Sequence, residues 1–125
     1  MKILVTGGTG FQGSNISKSL LEDGHDVVIL NVHSEKNKTN VRRFGLEKAK
    51  IIWGTINDRH IVKDSMIDVD LVIHAAAKIH VDDSIENPTD YFMTNVMGTN
   101  NVLEVARQFN IPVMHISTCE VYGFQ

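Results

Sequence analysis

The chain has 125 residues, 42% of them hydrophobic and 22% charged, with a formal net charge of −3 at pH 7. That size suits one domain with a real core, and the negative balance excludes a surface built for nucleic acid or an anionic membrane. The single cysteine, Cys119, excludes an internal disulfide and suits a reducing compartment, so a cytoplasmic protein is expected; no apolar run approaches the roughly 18 residues that span a bilayer.

Taken in chain order, short β-branched runs alternate with longer helical patterns. "KILVT" (Lys2–Thr6) predicts the first strand; its apolar run, Ile3 to Val5, is too short for a signal peptide. "FQGSNISKSLLEDG" follows as a helix, with Ile16 and Leu20 on one face and Gly24 placed to end it. "DVVIL" (Asp26–Leu30) is the second strand. The polar run Asn31–Arg43 reads as a solvated connection leading into a weak helix. "AKIIW" (Ala49–Trp53) and "DLVIHA" (Asp70–Ala75) supply the third and fourth strands. "ENPTDYFMTNVMGTNNVLEVARQFNIP" is the strongest helix, with Pro88 in its first turn, Phe92, Val96, Leu103 and Ala106 at helical spacing, and Asn110 and Pro112 at its end. "PVMHIS" (Pro112–Ser117) is the fifth strand. Near-continuous apolar strands are covered on both faces, and strand–helix alternation means a parallel sheet with right-handed crossovers. The expected fold is a doubly wound α/β domain of about five strands.

"VTGGTGFQGSN" lies between the first strand and the first helix, with Gly7, Gly10 and Gly13 spaced G-x-x-G-x-x-G. In that position the first glycine permits the tight turn, the second lets a phosphate approach the backbone, and the third lets helix and strand pack closely. Free N–H groups near Phe11 and Gln12, aided by the helix dipole, then face a pyrophosphate. The end of the second strand, about 20 residues on, is where an acidic residue usually meets the adenosine ribose. Here it is Asn31, which lacks the charge that repels a 2′-phosphate, and no arginine follows to bind one. NAD is expected over NADP. His74, His80 and His115 show no metal-site spacing, so no metal is expected. His74 reads as a core residue satisfied by backbone, and His80 as a candidate for the sugar side of the pocket.

In order and at spacing, these motifs resemble the extended short-chain dehydrogenase/reductases, the NAD-dependent epimerase/dehydratase family with its Rossmann-type fold. The resemblance runs through "TGGTGFQGS", "VIHAAA", "TNVMGTNNVLEVAR" and "HISTCEVYG"; "HVDDSIENP" points to the nucleotide-sugar 4,6-dehydratases. It implies that Gly7, Gly10, Phe11, Gln12 and Gly13 hold the pyrophosphate, that Asn31 faces the ribose, and that Thr55 and Ile56 lie beside the adenine. The family usually has an aspartate where Thr55 stands. Ala75, Ala76 and Ala77 would form a small-residue wall, and Asn95 would support the nicotinamide side. Thr118 would hydrogen-bond the sugar hydroxyl to be oxidised, and Glu120 would be the base beside the resulting 4-keto group. Cys119 stands where dehydratases carry an acidic aspartate, and a thiol is a far weaker acid than a carboxyl group. Epimerisation or decarboxylation through the same intermediate needs no such acid. Cys119 itself is expected to be small and semi-buried rather than nucleophilic.

The family's Tyr-x-x-x-Lys pair is not found in this sequence. The resemblance therefore implies the incomplete N-terminal, NAD-binding portion of a longer enzyme, truncated before the catalytic helix and substrate domain. Such a portion would be inactive alone, would expose the fifth strand as a sheet edge, and would belong to a parent that binds a nucleotide-sugar, with a homodimer as the candidate assembly. A non-catalytic NAD-binding module or partner subunit is the competing reading, and a domain for another phosphate ligand such as a flavin is a third.

Overall fold

The computed structural model describes residues 1–123. Five parallel strands, β1 (Lys2–Thr6), β2 (Asp26–Asn31), β3 (Lys50–Trp53), β4 (Leu71–His74) and β5 (Val113–His115), lie in the order β3-β2-β1-β4-β5. Successive strand residues point to opposite faces, and the core divides accordingly. Ile3, Val5, Val27 and Ile29 pack on one face with Leu46 and Ala49, under α1 (Phe11–Glu22) and α2 (Glu35–Phe44). Leu4, Val28, Leu30 and Val72 pack on the other with Val62, Met66, Val102 and Val105, under α3 (Arg59–Ser65) and α6 (Thr99–Phe109). That alternation explains why the strands read as unbroken apolar runs: both faces are dry. Among the described residues no helix is long and apolar enough to cross a membrane.

The strands fall where the apolar runs predict, with shifted ends. β2 runs on to Asn31, while β4 stops at His74 and β5 covers only Val113–His115. Of the two short helices between β2 and β4, one follows the sequence pattern and one does not. The weak helix expected in Asn31–Arg43 is α2, nine of whose ten residues lie in that run, capped by Ser34, whose Oγ accepts from Asn37 N at 3.1 Å. None of its residues is fully buried, but Val41 and Phe44 pack against the Ile3–Leu46 side of the core, and Ser34 and Gly45 cap its ends. α3 has no counterpart among the elements that the sequence predicts. It is a short helix started by Asp58, whose Oδ1 accepts from His60 N at 2.9 Å.

The long helical region after β4 comprises α4 (Val81–Glu86), α5 (Pro88–Phe92), a π-helical turn (Met93–Gly98) and α6. Pro88 opens α5, and Asn110, in the left-handed conformation, ends α6, as the sequence suggests. The buried face is different. Phe92, Val96 and Leu103 are 54%, 51% and 44% exposed, and Val102, Val105 and Ala106 are buried. A π turn bonds i to i+5 and so adds a residue, which breaks the single 3.6-residue stripe across the segment.

Candidate functional site

The direction of the crossovers reverses between β1 and β4, and at such a switch point the loops leave the strand ends in opposite directions and open a crevice. A cleft of about 580 Å³ lies there, lined by residues that include Gly7, Gly10, Phe11, Gln12, Gly13, Asn31, Thr55, Ile56, Ala75, Ala76 and Ala77. Residues 7 to 77 of the sequence-predicted cofactor set thus meet in one space.

The glycine loop is shaped by close backbone approach. Gly7 has φ +70°, donates its N–H to Leu30 O at 2.8 Å, and leaves no room for a Cβ, which would stand 2.8 Å from Ala76 Cα. A Cβ on Gly13 would collide with the Gly7 carbonyl, so helix and turn touch main chain to main chain. α1 then begins at Gly10 with no side-chain cap, leaving its first amide N–H groups directed out of the helix end. Those N–H groups and the helix dipole make an anion-binding position without any charged side chain.

Asn31 is only 8% exposed, and its amide is engaged within the protein. Its Oδ1 accepts from Thr9 N and its Nδ2 donates to Val32 O, each at 3.3 Å. Thr55 Oγ1 accepts from Asn57 N at 3.2 Å, which turns the chain towards α3. The following loop is fastened from α6: Asn101 Nδ2 donates to Ile56 O at 3.1 Å and Asn57 O at 3.2 Å, and Gly98 faces Ile56 so closely that a Cβ would lie 2.7 Å from its Cδ1.

His74, at the end of β4, is buried and held by side chains rather than by the backbone expected from sequence. Thr6 Oγ1 lies 2.6 Å from its Nδ1 and Thr99 Oγ1 2.9 Å from its Nε2. Ala76 N donates to the same Thr6 Oγ1 at 3.3 Å, linking the histidine to the alanine wall. His115 stacks on it at 5.2 Å between ring centroids. Burial, and secondarily the neighbouring His115, push His74 down to about 4.

Asn95 does not line the main cleft, but it grips one wall: Lys78 N donates to its Oδ1 and its Nδ2 donates to Lys78 O, both at 2.8 Å. Lys78 lines the cleft and pairs with Asp90 at 2.8 Å, a hydrogen bond that raises the lysine above its ordinary value. His80 lies away from the main cleft, in a neighbouring cavity of about 430 Å³ with Lys78, Asp83 and Tyr91. Cleft residues that sequence reasoning missed include Asn37, Gly54, Lys78 and Thr94. Of these only Gly54 carried a local signal, a glycine directly after a strand.

Thr118, Cys119 and Glu120 are not in the cleft lining; Ser117, just before them, is. Thr118 caps a single 3₁₀ turn (Cys119–Tyr122), accepting from Glu120 N at 3.3 Å. Cys119 is exposed rather than semi-buried, because it opens a turn beyond the edge strand and no described element covers it. Among the described residues no group of three or more His, Cys, Asp or Glu side chains is placed to hold a metal ion.

The chain matches the NAD dependent epimerase/dehydratase family over residues 3–125. It is 35% identical to a dTDP-glucose 4,6-dehydratase of Mycobacterium tuberculosis over 98% of its own length and 38% of that protein's. It is 42% identical to a putative UDP-glucose 4-epimerase of Methanocaldococcus jannaschii, over 97% and 39%. Its backbone superposes, with a TM-score of 0.90 at 30% identity, on a UDP-glucose-4-epimerase from Stenotrophomonas maltophila solved with bound NAD and formylated UDP-arabinopyranose, over 100% of this chain and 39% of that one. The chain therefore spans about two-fifths of the length of these relatives, and it belongs to the NAD dependent epimerase/dehydratase family.

Proposed function

We propose that this family member is the NAD-binding portion of a nucleotide-sugar-modifying enzyme, a 4,6-dehydratase or an epimerase that works through a 4-keto sugar. One observation carries the reading. A side-chain-free turn leads into an uncapped helix N-terminus at the sheet's switch point, facing a cleft walled by three alanines. The residues present fit a dinucleotide. The Phe11 and Gln12 amides would take the pyrophosphate, Thr55 and Ile56 would flank the adenine, and Ala75–Ala77 would leave width for the ligand to cross the strand ends. NAD, when bound, supplies a hydride acceptor.

Thr118 would hydrogen-bond the sugar hydroxyl that is oxidised, and Glu120 would take the proton from the carbon beside the new ketone. Cys119 offers no carboxylic acid for a departing hydroxyl, which favours epimerisation over loss of water. Neither tyrosine, Tyr91 nor Tyr122, is followed four places later by lysine in this sequence, so binding without turnover is the expected behaviour of these 125 residues. We place the parent in the cytoplasm, as a homodimer.

Calorimetric titration with NAD, ADP and FMN tests the cofactor: binding of NAD and ADP supports it, and preference for FMN contradicts it. A non-catalytic NAD-binding module is favoured by Asn31, Thr55 and Cys119 standing where the family carries acidic residues. The DNA beyond codon 125 separates the two readings. A Tyr-x-x-x-Lys encoded in the same frame supports an enzyme, and its absence supports the module.

A further inference from the structure

One side of the cleft is carried by the short loop between β3 and α3, from which Gly54, Thr55 and Ile56 line it. Gly54 N donates to Asn31 O at 2.9 Å where the loop leaves the sheet, and Asp58 caps α3 where it ends. Between those points Asn101 of α6 is the one side chain from outside the loop that bonds to it, among the described residues. It stands 45 positions from Ile56 and 44 from Asn57 in the chain, and it lies outside the cleft lining.

The Ile56 and Asn57 carbonyls converge on Asn101 Nδ2, at 3.1 and 3.2 Å. A side-chain amide carries two N–H donors, enough for both oxygens. Holding the two oxygens fixes two consecutive peptide planes, and with them the direction of the Ile56 side chain. Ile56 is buried in one core cluster with Val62 and Val102, and the surface it keeps belongs to the cleft. Gly98, on the same helical run as Asn101, closes on Ile56 with main chain alone. Resting on the dinucleotide reading above, we propose that Asn101 is a positioning residue for the adenosine half of the ligand. From outside the cleft it sets the loop on which the adenine rests, while the glycine loop takes the phosphates without its help.

The bonds separate the two halves. The glycine loop is tied to Leu30 O, to Asn31 and to Asn40, none of them on α6. Val102, Val105 and Ala106 pack α6 into the core, so the helix keeps its seat when the Asn101 amide is lost. Leucine has nearly the shape of asparagine and a higher helix propensity, but it has no donor. Asn101→Leu therefore releases the two carbonyls and leaves the helix in place.

The test is two-dimensional NMR titration of the unaltered chain and of Asn101→Leu, with ADP and with inorganic pyrophosphate. In the unaltered chain ADP is expected to shift the side-chain NH2 signals of Asn101 and pyrophosphate to leave them, a comparison that requires no variant to fold. In Asn101→Leu, affinity for ADP is expected to fall about tenfold and affinity for pyrophosphate to stay within about twofold. An Asn101 signal that ADP leaves unmoved overturns the proposal. So does unchanged ADP affinity, or an equal loss for both ligands, in a variant shown folded by its spectrum. Failure of either ligand to bind the unaltered chain is a different result and overturns the cofactor reading beneath it.

Discussion

The two ends of the cleft are held by different means. At the β1–β2–β4 end every contact that shapes the site is internal: Gly7 against Ala76, Gly13 against the Gly7 carbonyl, Asn31 on Thr9, and Asn101 on the Ile56 loop. At the β5 end the strand has three residues, Met114 is 53% exposed, and Thr118, Cys119 and Glu120 sit on one exposed 3₁₀ turn with Val121 at 67%. The glycine-loop end is thus organised by backbone fit. The end carrying the catalytic candidates has little packing behind it among the described residues. A pocket can be preformed for one part of its ligand while the reacting groups beside it stay loosely supported.

The largest expected effect tests that contrast directly. Gly13→Val places a branched side chain against main chain and is expected to cost about 4 kcal/mol or more and to abolish dinucleotide binding, because neither the turn nor the helix can retreat. Thr118→Val, which removes the cap of one exposed turn, is expected to cost under about 1 kcal/mol. Urea unfolding of both variants measures the difference, and similar losses would erase the distinction between the ends.

The next effect lies at the joint between them, where His74 of β4 stacks on His115 of β5. His74 titrates near 4 when folded, against 6.5 ordinarily. Between those values the unfolded chain binds a proton that the folded chain refuses, so stability rises with pH across that window and is complete above about 6.5. Lowering the pH from 6.5 to about 4 should remove roughly 3 kcal/mol, read as urea midpoints. His74→Asn should flatten that part of the profile, and an equally steep profile in the variant would assign the dependence to other groups.

The sheet and the glycine loop were legible in the sequence because both depend on local facts: unbroken β-branched runs, and glycines at fixed spacing between a strand and a helix. α3 was not, since a cap and a few contacts hold its seven residues, and α2 was legible only as a weak helix because Val41 and Phe44 alone pack from it. The face of the long helix was misread because the π turn shifts its phase, which residue spacing does not reveal. Lys78 and Asn101 escaped notice for another reason. Their bonds reach partners 17 and about 45 positions away in the chain, so only the fold brings Lys78 against Asn95 and Asn101 against the loop that carries Ile56.

The smallest effect sharpens the picture of a tightly built loop. Thr9 is fully buried, and its Oγ1 is the one buried side-chain polar atom without a hydrogen-bond partner among the described residues. Thr9→Val keeps the shape and removes the unsatisfied hydroxyl, so it should stabilise the protein by about 1 kcal/mol in thermal or urea unfolding. Destabilisation would mean that the hydroxyl has a partner in solution.

The most direct measurement is a crystal structure of the chain soaked with NAD. The account predicts pyrophosphate oxygens about 3 Å from the main-chain nitrogens of Phe11 and Gln12, with the adenine against Ile56. Adenosine bound elsewhere, or a glycine loop folded shut across that helix end, would contradict it.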